Sequence, residues 1–493
     1  MKKQPDTYRM TTLGCRANFA EERELEAVLH ARGFRPASRS EPAHLEVVHT
    51  CSVTARAAAK SRQAIRRAAR GDHSRNPTSK VVVTGCYVGS DPDAAQRLAT
   101  SNGPSSGTAI GHADSQALTM VERFAREIDD WLETATGMNG SSSSEDEAVH
   151  TLPIVQLPTR PARHARAEIR IQDGCDAHCT FCIIPSLRPT LRSKSLDDVV
   201  REARQLVSLG HREIVLTGIF IGAYGHATAL RRRQKDTATE RLPDLVDAVA
   251  RVDGVKRLRI SSMEPMDVTN DLLDAMLAND QVVVPHLHLP LQSGSDEILR
   301  RMNRQYRIDE YMAMIERVHT TLTRDGLPPA ITTDIICGFP GETDADFKAT
   351  LAVARQVGYL HMHVFPFSPR AGTAAARWKD RFVDPAIARS RVQQLIDLEQ
   401  DPEDGLAMRF RRMLVGRRTR AIVEQPDRNR PGRWRGRCDH YELLSMAGDC
   451  ARGDLVEVEV NGLDGADTLA TIVKQPVTLP VLNDHTKQME TCR

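Results

Sequence analysis

Residues 171–185 read IQDGCDAHCTFCIIP and place three cysteines within eight positions, in the pattern C-x3-C-x2-C. Thiolates at such short separations can surround one soft metal centre, because a tight loop brings all three sulfurs to one side. Three ligands are one fewer than zinc or a closed iron–sulfur cluster usually takes. A four-iron cluster on Cys175, Cys179 and Cys182 would therefore keep one iron open for a substrate. The alternatives are a zinc loop with a distant fourth ligand and three unconnected buried thiols.

This spacing, with Phe181 directly before the third cysteine, resembles the signature of the radical S-adenosylmethionine (SAM) enzymes. The pattern is much more specific than a single C-x-x-C pair. The resemblance implies a 4Fe–4S cluster on the three cysteines, with SAM bound to the open iron through its amino and carboxylate groups. It also implies that Phe181 lies at the SAM site.

The whole chain has the size and composition of an intracellular protein with several domains. Its 493 residues predict two to four domains, and an apolar fraction of 40% is enough for hydrophobic cores. Ten cysteines without a leading hydrophobic run predict a reducing, cytoplasmic location, where thiols are ligands or buried. The sequence has no run of about 18 apolar residues, so we expect no membrane association. The net charge of +2 indicates no particular partner.

Residues 8–133 form the first predicted domain, in which strands and helices alternate. Three of its predicted strands each end next to a cysteine, and these cysteines are Cys15, Cys51 and Cys86. In an open parallel α/β sheet, ligands bind at the edge formed by the carboxyl ends of the strands. We therefore expect the three thiols to converge there on a second iron–sulfur cluster, although one such cysteine alone more often fills a core.

The segments around these cysteines resemble the N-terminal domain of the methylthiotransferases, a family of radical SAM enzymes. The segments are TLGCRAN at 12–18, TCSVT at 50–54 and VTGCY at 83–87. In that family the three cysteines hold an auxiliary 4Fe–4S cluster that handles the sulfur to be inserted. His49 stands where the family usually has asparagine, and we expect it to tune the cluster or to be tolerated, without being a ligand.

The segment 53–70, which follows Cys51, carries five arginines and one lysine and no acidic residue. At helical spacing these cations form one broad positive surface. Such a surface is often only a solvated helix face, but it also fits phosphate contacts with RNA beside the auxiliary cluster. Because the resemblance implies an RNA substrate, we expect RNA contact here.

A linker is predicted at 134–160, where glycine, serine and acidic residues accumulate, and the radical SAM domain follows at 161–410. Strand–helix alternation there predicts a parallel sheet with helices outside, and the resemblance implies a partial (βα)6 barrel. Polar motifs follow the strands, at the edge where such sheets bind ligands. On glycine content alone, Gly338 is better explained by a tight strand-to-helix turn. The family motifs predict SAM contacts at Phe181, Gly218, Ser262, Glu264, Gln292 and Gly338.

The last predicted domain, 411–478, has short strand-like runs separated by Gly, Pro and Asp, which is typical of a small antiparallel barrel. Between Arg409 and Arg437 there are eleven arginines and two acidic residues, with Trp434 among them and Tyr441 just after. A basic barrel with an exposed aromatic residue fits RNA binding by phosphate contact and base stacking. The domain loosely resembles the RNA-binding TRAM domain that follows the radical SAM domain in this family.

The resemblance implies a multidomain α/β enzyme that methylthiolates C2 of N6-threonylcarbamoyladenosine at position 37, in the anticodon loop of tRNA. The segments CSVT at 51–54 and SRQAIRR at 61–67 most resemble that branch. The C2–H bond of adenine is inert to acid–base chemistry, so a cofactor must supply the driving force. Three alternatives stay open: N6-isopentenyladenosine in tRNA, an aspartate of a ribosomal protein, and a non-catalytic RNA-binding iron–sulfur protein. An electron donor such as flavodoxin or ferredoxin is expected as a partner, and the sequence identifies no sulfur donor.

Overall fold

The structure is a computed structural model that describes residues 6–38, 40–71, 80–101, 107–112, 118–136, 166–231, 238 and 240–474. Residues 137–160 of the predicted linker and the last four residues of the predicted barrel domain lie outside the described residues. The domain boundaries therefore stay predictions. None of the described helices has the length and apolar character needed to cross a membrane.

The N-terminal domain is an open sheet of five parallel strands with helices packed against it. The strands are β1 (Thr7–Thr12), β2 (Arg35–Pro36), β3 (Leu45–Thr50), β4 (Lys80–Gly85) and β5 (Gly107–Ile110). Their order across the sheet is β2-β1-β3-β4-β5, and every neighbouring pair is parallel. The helices are α1 (Arg16–Ala31), α2 (Ala55–Gly71), α3 (Cys86–Ser90), α4 (Pro92–Ala99) and α5 (Met120–Thr136). The predicted open parallel sheet is confirmed.

Helices cover both faces of this sheet, which explains why its central strands are buried on both sides. Strands β3 and β4 are buried along their whole length. Successive side chains of a strand point to opposite faces. Accordingly, Val47 packs in one core with Leu25 of α1, and Val48 packs in another with Ile65 of α2. Helices α1 and α2 therefore lie on opposite faces, and both begin at the carboxyl edge that carries the cysteines.

The central domain contains six parallel strands in chain order and a short antiparallel strand at one edge. The strands are β6 (Arg166–Asp173), β7 (Arg192–Ser193), β8 (Glu213–Gly218), β9 (Arg257–Ile260), β10 (His286–His288), β11 (Ala330–Cys337) and β12 (His361–Pro366). Strand β7 is antiparallel to β6, and the others form the series β6-β8-β9 and β10-β11-β12. Two isolated parallel bridges, between Leu258 and Val283 and between Ser262 and His288, join the two series. The predicted partial (βα)6 barrel is confirmed.

Helices connect the central strands and bury a single large apolar core against them. They are α6 (Ile184–Leu187), α7 (Leu196–Ser208), α8 (Leu242–Ala250), α9 (Asn270–Ala278), α10 (Asp296–Arg301), α11 (Ile308–Leu322) and α12 (Asp344–Val357). Several have side-chain caps that fix where they begin. The Thr343 hydroxyl accepts from the Asp346 N–H, and the Asp346 carboxylate accepts from the Thr343 N–H, which is a capping box. Cys337 is buried in the core.

The chain ends in a closed five-stranded barrel, preceded by helices α13 (Pro385–Gln400) and α14 (Leu406–Leu414). Its strands are β13 (Arg418–Pro426), β14 (Arg433–Cys438), β15 (Leu443–Ala447), β16 (Leu455–Asp464) and β17 (Asp467–Lys474). The order around the barrel is β13-β14-β15-β17-β16. All pairs are antiparallel except β15 and β17, which are parallel. The predicted small barrel is confirmed, with this one parallel pair as a difference.

The exposed aromatic residue expected on the barrel is absent from its described surface. Trp434 is half-buried against the barrel core. The Tyr441 ring stacks on His286 of the central domain, with ring centroids 4.2 Å apart. Its hydroxyl accepts a hydrogen bond from Arg16 of the N-terminal domain at 2.6 Å. The prediction was therefore wrong for both rings, because Tyr441 joins the three domains and Trp434 packs inward.

Candidate active site

The first cysteine set lies on the loop that follows β6. Cys175 is buried, and Cys179 and Cys182 are half-buried. Gly174 begins the loop with φ at +81°, a conformation that favours glycine. A Cβ added there would lie 2.0 Å from the backbone oxygen of Thr190. Only glycine therefore lets this loop pass so close to the returning chain.

Two N–H groups are directed at the sulfurs of this set. The Ala177 amide donates to Cys175 Sγ, and Arg304 Nη1 donates to Cys179 Sγ, both at 3.4 Å. Burial and, to a lesser extent, the nearby Cys179 thiol raise the pKa of Cys182 to about 12. Thiols in such a place ionise readily only when a metal centre binds the thiolate. Donors aimed at sulfur also stabilise cluster thiolates, so this donor set fits a 4Fe–4S cluster.

Five of the residues expected to contact SAM lie at the same edge of the sheet as the cysteine loop. Gly218 ends β8, Ser262 and Glu264 follow β9, Gln292 follows β10, and Gly338 follows β11. Parallel strands that lie in chain order present their carboxyl ends at one edge, which brings these residues together. The contacts with SAM themselves stay predictions.

Glu264 is tied to the cysteine loop through Arg304, a residue that no sequence motif had singled out. The Glu264 carboxylate accepts from Arg304 Nη2 at 2.6 Å, and the same guanidinium donates to Cys179 Sγ. Arg304 is buried, and the Glu264 carboxylate helps to keep its pKa well above the ordinary value, against the opposing effect of burial. Glu264 therefore orients a permanent positive charge toward the first cysteine set.

Phe181 packs in an aromatic cluster with Phe339, the residue that follows Gly338. The Phe181 ring lies edge-on to that of Phe339, with centroids 6.4 Å apart. The N–H of Gly338 donates to the Glu342 carboxylate at 2.7 Å. A Cβ added at Gly338 would lie 2.5 Å from the Cβ of Ala388. The segment around Gly338 thus forms a tight turn, and Phe181 packs beside it. Contact between adenine and this backbone remains a prediction.

The second cysteine set lies at the carboxyl edge of the N-terminal sheet. Cys15, Cys51 and Cys86 follow β1, β3 and β4. Cys51 and Cys86 are buried, whereas Cys15 is exposed. Gly14 has φ at +121°, and a Cβ there would lie 2.9 Å from the Cβ of Cys51. Glycine therefore allows the first two cysteine loops to approach each other.

Asn18, on the first turn of α1, holds these two loops together. Its side-chain amide donates to the Leu13 oxygen at 2.8 Å and to the Thr50 oxygen at 3.0 Å. Its own oxygen accepts from Cys15 Sγ at 3.7 Å. Asn18 stands within the TLGCRAN segment, but the sequence alone gave it no role. Its effect is to fix the positions of Cys15 and Cys51 relative to each other.

The donor set of the second site also fits a cluster. Burial raises the pKa of Cys86 to about 12, and the nearby positive charge of Arg188 opposes that effect. Burial likewise raises the pKa of Cys51, and the Cys15 thiol adds to the shift. As in the first set, a positive charge stabilises a thiolate that burial disfavours.

His49 does not belong to this ligand set. Its Nδ1 lies 2.7 Å from Thr84 Oγ1, and its Nε2 lies 3.1 Å from Glu21 Oε2. Both ring nitrogens are thus engaged within the fold, which agrees with the expectation that His49 is not a ligand. Its contact with Glu21 places it in the ionic network described below.

The two cysteine sets lie on either side of one small apolar contact. Ile183 and Leu187, which follow Cys182, pack together with Cys86. Arg188, the next residue, places its positive charge near the Cys86 sulfur. The chain segment that leaves the first set therefore runs directly to the second.

A buried ionic network lies beneath this contact and joins the two domains. The Glu21 carboxylate, which has no exposed surface, accepts from Arg188 at 2.7 and 2.8 Å and pairs with Arg170 at 3.0 Å. His49 and His112 contact the same carboxylate. Burial by itself raises the pKa of Glu21, but the Arg188 and Arg170 cations outweigh it and hold that pKa well below its usual range.

Replacing Glu21 with glutamine is expected to destabilise this interface by about 3–5 kcal/mol, because it leaves two buried arginines undercompensated. Hydrogen exchange of the α1 and β6 amides measures the loss locally. Exposed Glu133 provides the control, and its replacement by glutamine should change stability by no more than about 0.5 kcal/mol. Equal protection in the Glu21 variant would show that the network adds nothing to the interface.

A site for a single metal ion is more compact than a site for a four-iron cluster. Within the described part of the chain, no three His, Cys, Asp or Glu side chains converge as they do around one metal ion. A four-iron cubane is larger than one ion and holds its ligands farther apart. The assignment of the six cysteines as cluster ligands stays a prediction.

In a comparison with known protein families, one family model matches the N-terminal domain and another matches the central domain. The model of the radical SAM superfamily matches residues 169–354, and that of an uncharacterized protein family, UPF0004, matches 7–102. A threonylcarbamoyladenosine tRNA methylthiotransferase of Bacillus subtilis is 36% identical over 80% of each chain. A tRNA-2-methylthio-N(6)-dimethylallyladenosine synthase of a Parafrankia species is 34% identical, over 92% of this chain and 87% of that one.

Among solved structures, a radical S-adenosylmethionine methyltransferase from Kitasatospora setae has a similar fold. The TM-score is 0.52 at 14% identity, and the match covers 76% of this chain and 77% of that one. Fold, cysteine loop and family model together define a radical SAM enzyme. Within that superfamily, the chain belongs to the methylthiotransferase family. SAM and 4Fe–4S clusters are therefore its cofactors, and the non-catalytic alternative is set aside.

Proposed function

We propose that this enzyme methylthiolates C2 of N6-threonylcarbamoyladenosine at position 37 of tRNA, in the anticodon loop. The observation that carries the proposal is the contact between the two cysteine sets, through Cys86, Ile183 and Arg188. An inert C–H bond and a sulfur to be inserted call for two cofactor sites close to one substrate atom. A fold that brings two cysteine sets from separate domains together supports that chemistry.

In this proposal Cys175, Cys179 and Cys182 hold the cluster that binds SAM, and the second set holds the auxiliary cluster. When bound, these groups supply the electron for SAM cleavage and the sulfur to be transferred. The chain itself supplies positioning. Arg304, oriented by Glu264, donates to Cys179, and Arg188, oriented by Glu21, lies near Cys86 with its positive charge. Each set therefore has one buried arginine that stabilises thiolate charge.

The choice of nucleoside rests on the segment 61–67, which lies on α2 beside the second set. Ser61 Oγ accepts from the Cys51 N–H at 3.1 Å and donates to the Cys51 oxygen at 2.8 Å. The segment that most resembles the threonylcarbamoyl branch is thus held directly on a proposed ligand. The Bacillus subtilis relative, whose name carries the same nucleoside, adds support.

A second candidate is methylthiolation of N6-isopentenyladenosine, because the Parafrankia relative, at 34% identity, is named for that nucleoside. Mass spectrometry of tRNA nucleosides from a deletion strain separates the two. We expect the 2-methylthio derivative of N6-threonylcarbamoyladenosine to disappear and its precursor to accumulate. Loss of the isopentenyl derivative instead would favour the second candidate. If the deletion strain keeps both tRNA derivatives and an aspartate of a ribosomal protein is unmodified there, the protein-modifying branch is favoured.

The proposed reaction also needs an electron for SAM cleavage. We propose a small cytoplasmic donor such as flavodoxin or ferredoxin, and that the enzyme works in the cytoplasm with it. Supplying reduced flavodoxin or reduced ferredoxin to the reconstituted enzyme tests the donor through the rate of SAM cleavage.

The tRNA surface of this proposal lies on α2 more than on the barrel. The exposed cations of α2 have no ion pair with any described residue, and they are Arg56, Lys60, Arg66, Arg67 and Arg70. The arginines of α14 and of the barrel that follows it are instead largely matched with acidic groups, as in Arg409 with Asp404, Arg418 with Glu459 and Arg430 with Asp464. A paired arginine releases fewer counterions on meeting a phosphate, so α2 offers more net charge to RNA.

Replacing Arg66, Arg67 and Arg70 with glutamine is therefore expected to weaken tRNA binding and flatten its salt dependence. The slope of log K against log salt should fall by about 0.7 to 0.9 for each phosphate that is no longer neutralised. Binding curves across a salt series measure this. The matched control neutralises Arg409 and Arg418, which should change the slope little. A larger effect in the control would return the main RNA contact to the barrel.

A further inference from the structure

Two arginines from different domains lie beside the second cysteine set. Arg370, on the loop after β12, donates from Nη2 to Ser52 Oγ at 2.6 Å. The Arg62 guanidinium, on α2, lies 5.8 Å from the centroid of the Tyr87 ring. Ser52 and Tyr87 are the residues directly after Cys51 and Cys86. Each arginine is therefore held beside the residue that follows a proposed cluster ligand.

Neither arginine has a carboxylate partner among the residues that the structure describes. Arg370 Nε is buried and makes no hydrogen bond there. Burial and the neighbouring Arg62 cation lower the pKa of Arg370, against the opposing effect of Cys51. Elsewhere in this fold buried arginines are matched with acids, as are Arg170 with Glu24, Arg188 with Glu21, Arg304 with Glu264 and Arg391 with Glu342. Two adjacent cations without an anion are unfavourable, so the arrangement suits an anionic ligand.

Because both arginines border the second cysteine set, a ligand that they bind would lie beside the proposed auxiliary cluster, close to the base that is modified. A threonylcarbamoyl group ends in a carboxylate, whereas an isopentenyl group is neutral and apolar. Guanidinium groups match carboxylates in geometry as well as in charge. A site built for a charged group also rejects a neutral analogue, since binding the analogue leaves desolvated cations unpaired.

Resting on the proposed function, we propose that Arg62 and Arg370 bind the carboxylate of the threonylcarbamoyl group and so select this nucleoside over the isopentenyl one. The contact of Ser61 with both backbone groups of Cys51 keeps Arg62 in place beside the cysteine set. Both arginines are half-buried, so a ligand can reach them from solvent.

The test measures binding of anticodon stem–loops to the full-length enzyme with its clusters in place. Four RNAs are compared: one with N6-threonylcarbamoyladenosine, its threonine methyl ester, one with N6-isopentenyladenosine, and one with unmodified adenosine. The wild-type protein should bind the free carboxylate about 10- to 100-fold more tightly than the ester. Arg62→Gln should remove that preference, so that the RNA with the free carboxylate and its ester bind equally. Arg62→Lys should restore part of it.

Arg66→Gln is the matched control on the same helix, and it should weaken binding of all four RNAs by the same factor. An equal loss on all four RNAs with Arg62→Gln would overturn the proposal, because the arginine would then contact a phosphate. A preference that survives Arg62→Gln would overturn it for Arg62. Arg370→Gln tests the second arginine, with iron content as the check on folding. If the wild-type protein itself binds the isopentenyl RNA more tightly, the proposed function is contradicted, whatever the arginine variants show. This outcome is therefore distinct from one that contradicts only the role of the two arginines.

Discussion

A variant with Cys175, Cys179 and Cys182 replaced by alanine is expected to lose all reductive cleavage of SAM. It should also contain about four fewer iron atoms per chain, the content of one cluster. The three thiols lie on one loop whose sulfurs receive hydrogen bonds from Ala177 and Arg304. The other cysteine described in the central domain, Cys337 at the end of β11, is buried in the apolar core and belongs to a different strand end. The measurements are iron analysis and 5′-deoxyadenosine formation after anaerobic reconstitution.

Replacing Cys450 with alanine provides the control for this variant. Cys450 is half-buried in the barrel and belongs to neither set, so iron content and SAM cleavage should both be retained. Continued formation of 5′-deoxyadenosine by the triple variant would falsify the assignment of the central cluster.

The second large effect concerns the other three cysteines. Replacing Cys15, Cys51 and Cys86 with alanine should abolish methylthio transfer but spare part of SAM cleavage. The reason is that SAM cleavage requires only the central cysteine set, whereas sulfur delivery requires a second metal site near the substrate carbon. 5′-Deoxyadenosine and methylthiolated nucleoside are measured in the same reaction.

Full methylthio product from this variant would contradict the proposal of two clusters. Because Cys86 packs against Ile183 and Leu187, the alanine variant also has weaker apolar packing at the domain interface. Replacing the three cysteines with serine, which has nearly the same shape, serves as the second variant. If both variants are folded and both lose SAM cleavage as well, the two sets act as one unit, and the separation of roles is wrong.

The sequence alone determined the features that depend on short-range spacing. The pattern C-x3-C-x2-C places its thiols on one loop in any fold, and apolar runs such as 81–83 become buried parallel strands wherever helices cover both faces. Because parallel strands share one carboxyl edge, cysteines at three strand ends could be predicted to lie together. The parallel sheet of the central domain and the small closing barrel followed from strand and helix periodicity, whereas the partial (βα)6 barrel was implied by the family resemblance.

Only the tertiary structure decided which charges are free and which are neutralised. The pairing of Glu21 with Arg188 joins residues 167 positions apart, and that of Arg370 with Ser52 joins residues 318 apart. Arg16 and Tyr441, 425 positions apart, meet for the same reason, which turned an expected RNA-stacking ring into a domain contact. No local pattern predicts such partners, because they depend on how the three domains dock. The number of arginines therefore suggested that the barrel is the basic surface. Most of those arginines pair with acidic groups, so α2, which has fewer arginines, carries more uncompensated positive charge. Arg62 and Arg370 likewise have no carboxylate partner among the described residues.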